Sequence, residues 1–195
     1  MGFLEDFSMQ FRHPRGFWGK VTGHILALTT GSRNDWTLSK LNIEPDDHVL
    51  EIGFGPGIGI YKCANNIQSG KVIGIDISTT MKEQASRRNR PFIESGKVEL
   101  KVGTVESLEI PKDYFHKIYS VNSVMFWEDR VTEFEKLFSH LKPGGVIATT
   151  YQPMFKGATE KDAIDAEELT VLLEKIGFSE VSFEVKNSSQ YLPSV

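Results

Sequence analysis

The stretch that decides the fold is Val49-Leu50-Glu51-Ile52-Gly53-Phe54-Gly55-Pro56-Gly57-Ile58-Gly59. An apolar run typical of a buried strand leads into glycines at every second position, and the residues after them suit a helix. Glycine lets a backbone turn tightly and approach a ligand closely, and the N–H groups that open a helix attract polar groups. The stretch therefore predicts a strand, a ligand-binding loop and a helix.

The chain after this stretch alternates between short β-branched runs and segments of helical character. Such alternation is typical of a mostly parallel sheet with helices on both faces. We predict strands at His48–Gly53, Lys71–Asp76, Val98–Val102, Lys117–Val121, Val146–Thr150 and Glu180–Val185. The predicted helices are Ile58–Gln68, Thr79–Glu94, Val131–Leu141 and Ala163–Ile176. A short last strand, antiparallel to its predecessor, is expected at Gln190–Val195.

Residues 1–43 differ in character from the rest. Aromatic residues such as Phe7, Phe11 and Trp18 recur there at helical spacing, with a break at Pro14. We interpret this segment as a helical cap over the active site. Residues 44–195 then form the ligand-binding core, and the two parts together form one structural domain.

Composition narrows the range of functions. The chain has 195 residues, 39% of them hydrophobic and 25% charged, which suits one folded domain. Its net charge of −4 gives no overall attraction to nucleic acid. The single cysteine, Cys63, excludes an intramolecular disulfide and a site built from several cysteines. Without a long apolar run or a signal peptide at the start, a cytoplasmic protein is expected.

The spacing of the glycines separates the nucleotide-binding families. A dinucleotide fingerprint needs a third glycine where this chain has Ile58 or Ile60, depending on the register. A phosphate-binding P-loop needs Gly-Lys followed by Ser or Thr, whereas Lys71 and Lys97 are each followed by Val. The pattern that remains is E-x-G-x-G-x-G, beginning at Glu51.

With these motifs the chain resembles the class I S-adenosylmethionine-dependent methyltransferases over about Glu44 to Val185. The motifs that carry the resemblance are Val49–Gly57, Val72–Ser78, Tyr119–Ser123 and Leu141–Gly145. The resemblance implies a Rossmann-like methyltransferase fold. It also implies an enzyme that uses S-adenosylmethionine and releases S-adenosylhomocysteine.

Both the chemistry of the residues and the family resemblance indicate candidate cofactor contacts. A carboxylate at the end of a strand, Asp76, can accept both ribose hydroxyls, and Ile77 can pack against the adenine. The resemblance implies that the glycine loop lies along the methionine part and that Glu51 holds its amino end. It places Thr104 where the family usually has an Asp for the adenine amino group. The complete set of expected cofactor-binding residues is Glu51, Gly53, Gly55, Gly57, Asp76, Ile77, Thr104, Val105 and Asn122.

Two polar residues near these motifs are ambiguous or unpromising. Glu106 either substitutes for the usual Asp at the adenine or faces solvent, and the sequence leaves both interpretations open. His116 opens the fourth strand where relatives usually carry Asp, and we interpret it as a surface or packing residue. No catalytic residue is assigned.

The acceptor is narrowed only by exclusion. Enzymes that methylate the amino groups of bases or of glutamine carry two prolines after the residue that corresponds to Asn122, and this chain does not. No metal site is evident in the sequence. Expected substrate walls are His13, Arg15, Trp18 and His24 in the cap, and Phe126, Trp127, Glu128 and Tyr151 after the strands. We expect a small-molecule acceptor that is apolar in part, as a lipid or a quinone is, with neither nucleic acid nor a membrane span involved.

Three alternatives stay open. The first is methylation of RNA or protein, which a basic stripe across the mouth of the site would favour. The second is a regulator that binds the cofactor without catalysis, suggested by Thr104 and by the absence of a clear base. A nicotinamide oxidoreductase is a distant third because its fingerprint fails.

Overall fold

The computed structural model describes residues 31–152 and 166–185. Within these residues lies a five-stranded sheet in the order β3-β2-β1-β4-β5. Every neighbouring pair in it is parallel. The strands are β1 (His48–Ile52), β2 (Lys71–Asp76), β3 (Val98–Val102), β4 (Phe115–Val121) and β5 (Leu141–Thr150).

Helices cover both faces of the sheet, as the alternating sequence predicts. One face carries α1 (residues 31–41), α2 (Ile58–Asn66), α3 (Thr79–Arg88) and α4 (Arg90–Glu94). The other carries α5 (Arg130–His140), α6 (Ala166–Ile176) and short 3₁₀ turns at Val105–Ser107 and Val124–Phe126. No helix in the described part of the chain is long and apolar enough to cross a bilayer.

The strands bury apolar side chains on both faces because successive residues point to opposite sides. Along β1, Val49 joins the core under α2 and α3, whereas Leu50 and Ile52 join the core under α5 and α6. Tyr119 and Phe115, both in β4, are among the largest fully buried side chains, one in each of these two layers. The sheet is therefore sealed on both sides, and its carboxyl edge is the natural place for a ligand.

The strand order places a switch point between β1 and β4. The chain leaves β1 towards β2 on one side and leaves β4 towards β5 on the other. In open α/β sheets, ligands bind in the crevice that such diverging connections leave at the carboxyl ends of the strands. The predicted ligand-binding loop, which follows β1, lies at this crevice.

The helix predicted at Thr79–Glu94 is wrong as a single element, because it divides at Asn89. Pro91 stands in the first turn of α4 and has no N–H with which to continue the α3 ladder. The Asn89 side chain turns back to the Ala85 carbonyl at 2.9 Å. The division matters for the site, since it frees Asn89 to contact the glycine loop.

The strand predicted at Glu180–Val185 is also wrong, since these residues form no strand. Glu180 has a φ of 56°, which interrupts extended backbone, and Phe183 and Val185 are exposed. An ion pair of 2.7 Å between Glu184 and Lys40 holds the segment beside α1. The expected last strand at Gln190–Val195 and residues 1–30 of the expected cap lie outside the described residues.

Candidate functional site

The loop from β1 to α2 runs along the carboxyl edge of the sheet. Gly53, Gly55 and Gly57 have φ values of 73°, 50° and 77°, which residues with a side chain rarely adopt. A Cβ on Gly53 would lie 2.5 Å from the Ser123 Cβ, and one on Gly57 would lie 2.6 Å from the Ala85 Cβ. A Cβ on Gly55 would meet no atom of the described residues within 4 Å. Gly55 therefore faces space in which a ligand can approach the backbone.

Asp76, the last residue of β2, fastens this loop. Its Oδ2 accepts a hydrogen bond from the Gly55 N–H, and its Oδ1 accepts one from the Ser78 N–H, both at 2.8 Å. The side chain is buried, so these charge-assisted bonds are shielded from water. A carboxylate can accept about four hydrogen bonds in all. Asp76 can thus hold the loop and still accept ligand hydroxyls.

A second brace comes from the junction of α3 and α4. The Asn89 Nδ2 donates to the Gly57 carbonyl at 3.0 Å, and the side chain is fully buried. Arg88 donates from its Nη1 to the Pro56 carbonyl. Sequence reasoning missed both contacts, because Arg87-Arg88-Asn89-Arg90 is interpreted more simply as a solvated basic cluster. Only the fold brings residues 32 positions apart together here.

Glu51 is buried beneath the start of α2. Its Oε2 accepts a hydrogen bond from the Tyr119 hydroxyl at 2.7 Å. A Cβ on Gly59 would lie only 2.4 Å from Oε1, so this glycine leaves room for the carboxyl group. Burial raises the pKa of Glu51 to about 8, and the negative charge of Asp76 adds to the rise. Glu51 is therefore mostly neutral at pH 7.

The edge beside β2 and β3 offers apolar surface at Ile77. Ile77 is 38% exposed, so its side chain is accessible to the adenine ring that we expect to pack on it. Thr104 is exposed and its hydroxyl makes no helix-capping bond, while Val105 is buried in the core. The Glu106 side chain faces solvent. An adenine-sized group at this edge could pack on Ile77, and the Thr104 hydroxyl lies at the same edge.

Comparison with known proteins agrees with this geometry. Residues 49–145 match the family model described as "Methyltransferase domain". The protein called uncharacterized methyltransferase YdaC, from Bacillus subtilis strain 168, is 32% identical over 168 residues, which is 86% of this chain and 91% of YdaC. The chain belongs to the class I S-adenosylmethionine-dependent methyltransferases. It is an enzyme of that class, and its cofactor is S-adenosylmethionine.

Other relatives share a smaller part of their length with this methyltransferase. Phosphoethanolamine N-methyltransferase 1 of Zea mays is 31% identical over 75% of this chain, which spans only 31% of the maize protein. The crystal structure of a SAM dependent methyltransferase from Aquifex aeolicus superposes with a TM-score of 0.63 at 19% identity, covering 74% of this chain and 78% of that one. The structural likeness shows the Rossmann-like methyltransferase fold.

The described residues fit the cofactor. Along the carboxyl edge the structure brings together all nine expected cofactor-binding positions, with Asp76, Ile77, Thr104 and Val105 at β2 and β3 and the others at β1 and β4. The open space at Gly55 supports a closely bound ligand. The individual contacts to S-adenosylmethionine stay predictions.

Asn122, directly after β4, has a strained but well-held backbone. Its φ is 53°, and its N–H donates to the Thr150 carbonyl at 2.8 Å. The side-chain Oδ1 accepts from the Gln152 N–H at 2.8 Å, which fixes the orientation of the amide. The Nδ2 is buried with no hydrogen-bond partner among the described residues. Asn122 therefore presents an unused donor at the site.

Other expected residues lie elsewhere or serve the core. His116 lies at the opposite, amino edge, where its Nδ1 accepts from the His48 N–H at 2.8 Å, so the interpretation as a packing residue is confirmed. Trp127 packs on Phe134 with ring centroids 4.9 Å apart, which makes it mainly a core residue. The candidate wall residues of the cap, His13, Arg15, Trp18 and His24, lie outside the described residues.

Glu51 predicts a pH-dependent stability. Its pKa is about 8 in the folded protein against an ordinary value of 4.5, so the folded state binds more protons between these values. The free energy of unfolding should therefore fall as the pH rises from about 4.5 to about 8, by on the order of 3–5 kcal/mol from this group. Urea unfolding of the wild type and Glu51→Gln at pH 5.5, 7 and 9 measures it. The variant should lack this component and gain stability relative to the wild type as the pH rises.

An exposed glutamate provides the control for this experiment. Glu135 lies on the solvent side of α5, and Glu135→Gln should follow the wild-type curve at every pH. If Glu51→Gln also ran parallel to the wild type, the neutral state assigned to Glu51 would be wrong.

Asp76 predicts the strongest loss of cofactor binding. Asp76→Ala removes two bonds that hold the loop as well as the expected ribose acceptor, so the Kd for S-adenosylhomocysteine should rise roughly a hundredfold or more. Calorimetric titration checks this, with NAD as a ligand expected not to bind. The exposed Asp46→Ala is the matched control. Unchanged affinity in a folded Asp76→Ala protein would remove Asp76 from the site.

Proposed function

We propose that this methyltransferase acts on a small, partly apolar acceptor such as a lipid or a quinone-like molecule. The observation that carries the proposal is that α1 is joined to the carboxyl end of β5. The Thr37 hydroxyl donates to Thr150 Oγ1 at 2.6 Å, and Arg33 donates to the Gln152 side chain. The first described turn of α1 thus lies beside the site. This supports the expectation that residues 1–43 form a cap over the active site, which suits an enclosed small acceptor better than a macromolecule.

The surface around the mouth supports an apolar component of the acceptor. Phe126, in the turn after β4, is 39% exposed, although Trp127 beside it packs into the core. Tyr151, after β5, is partly exposed at the neighbouring strand end. Two aromatic side chains at adjacent strand ends offer apolar contact to a flat or aliphatic acceptor.

The charges at this edge disfavour a nucleic acid. Glu106, Glu128 and Asp129 are exposed in the turns after β3 and β4, and Glu133 lies beside them in α5. Burial, together with the negative charges of these neighbours, raises the pKa of Glu133 to about 7. A phosphate backbone would be repelled by such an acidic rim.

The basic residues near the site do not offset this acidic rim. Arg87 pairs with Glu83 at 3.3 Å, and Arg90 pairs with Glu94 at 2.7 Å, both as i,i+4 pairs on exposed helix surface. Arg88 is engaged with the glycine loop. The basic stripe that would favour methylation of RNA therefore finds no support in the described residues.

Methyl transfer from the sulfonium is an in-line displacement, in which the acceptor atom bonds the methyl carbon as the carbon–sulfur bond breaks. The residues along the carboxyl edge would position the cofactor for this step, and positioning can supply much of the acceleration. Glu128, exposed in the turn after β4, is a candidate to accept a proton from an acceptor. We propose no further catalytic group.

A label-transfer experiment tests the acceptor class. The protein is incubated with methyl-labelled S-adenosylmethionine and with three separate pools, which are solvent-extracted small molecules, RNA and protein. We expect label in the small-molecule pool, partitioning into the organic phase, with Asp46→Ala as active as the wild type and Asp76→Ala nearly inactive. Label only in RNA or protein would overturn the proposal. Cofactor binding without label in any pool would also overturn the proposed acceptor class.

A further inference from the structure

The core-facing stripe of α1 ends in a buried polar residue. Leu41 and Leu38 on this stripe pack into the hydrophobic core beneath α2 and α3. Asn34, one turn earlier on the same face, is only 4% exposed. An apolar side chain would be the ordinary choice at such a place, so the amide calls for a reason other than packing.

Asn34 lies at the carboxyl edge of the sheet. Lys62 of α2 donates to the Gly31 carbonyl at 2.8 Å, and Arg33 contacts Gln152 at the end of β5. Gln152 in turn donates its N–H to Asn122. The first turn of α1 therefore spans from the helix after the glycine loop to the residues after β4 and β5.

The Asn34 amide is incompletely bonded. Its Oδ1 is buried and has no hydrogen-bond partner among the described residues. A buried acceptor without a partner costs free energy, and a bound ligand at the edge of the sheet is one group that could satisfy it. Asn122 offers the complementary case, a buried Nδ2 with no partner in the same part of the chain. Within the described residues, Asn34 Oδ1 in α1 is thus an unused acceptor, and Asn122 Nδ2 directly after β4 is an unused donor.

The orientation of the cofactor decides which of its groups would contact Asn34 and Asn122. With Asp76 and Ile77 at the end of β2, the adenosine would lie over β2 and β3, and the amino-acid end would extend over β1 and β4 towards α1. This orientation rests on the cofactor contacts predicted above. The amino-acid end carries an ammonium group and a carboxylate, which need an acceptor and a donor respectively.

We propose that Asn34 recognises the amino-acid end of S-adenosylmethionine, with its Oδ1 accepting a hydrogen bond from the ammonium group while Asn122 Nδ2 donates to the carboxylate. Glu51, to which the family resemblance gives the amino end, is already bonded to Tyr119 beneath α2. Asn34 Oδ1 has no such bond to any described residue, and it belongs to the last helix of the expected cap. Sequence reasoning did not single it out, since an isolated Asn in a helix carries no motif.

Two ligands that differ only in the amino-acid end test the proposal. S-adenosylhomocysteine has this end, whereas 5′-methylthioadenosine retains the adenosine and a thioether but lacks it. We expect Asn34→Leu to raise the Kd for S-adenosylhomocysteine roughly tenfold to a hundredfold and to change that for 5′-methylthioadenosine less than about twofold. Asn34→Asp, which keeps an acceptor and adds a negative charge, should bind S-adenosylhomocysteine at least as well as the wild type.

Controls separate recognition from docking of the helix. Thr37→Val removes the bond between α1 and Thr150, so it should lower the melting temperature without changing the ratio of the two affinities. Equal effects of Asn34→Leu on both ligands, no effect on either, or loss of binding in Asn34→Asp would overturn the proposal. Asp76→Ala should weaken both ligands, and if it weakened neither, the cofactor orientation itself would be wrong.

Discussion

One buried carboxylate fixes the geometry on which the site depends. Asp76 ends β2 and accepts the N–H groups of Gly55 and Ser78, so the loop after β1 and the helix after β2 are held by the same side chain. The backbone of Gly55 is left-handed, and a Cβ there would meet no atom of the described residues within 4 Å, so the hydrogen bond to Asp76 is a direct restraint on this residue. The binding crevice exists because this bond pair resists the flexibility that glycine brings.

The braces on the far side of the loop show why the sequence could not predict all of the site. The glycine spacing and Asp76 are local patterns, so the motif, the strand after it and the Rossmann-like fold are readable from the chain alone. Asn89 braces the loop through its hydrogen bond to Gly57, which is 32 positions earlier in the chain. Asn34 is distinguished only by its burial near the start of α1. Neither is visible until the fold places it. The strand expected at Glu180–Val185 failed because Glu180 has a φ of 56°, which the residue pattern of this segment does not reveal.

Charge at the carboxyl edge is distributed unevenly. Glu51 is mostly neutral because it is buried, whereas Asp76 is held by backbone N–H groups. The rim after β3 and β4 is acidic, with Glu106 and Glu128 exposed. A cationic sulfonium and a small acceptor are compatible with this field, and a polyanion is not. The amides of Asn34 and Asn122 provide polar recognition in this site without further charge.

The measurement that tests the central claim most directly is amide hydrogen exchange of Gly55, followed by NMR in the wild type and in Asp76→Ala without ligand. If Asp76 holds the loop, the Gly55 amide should exchange at least about tenfold more slowly in the wild type than in the variant. The amide of Ile118, in the middle of the sheet, should stay protected in both proteins. Equally fast exchange of Gly55 in both would contradict the account.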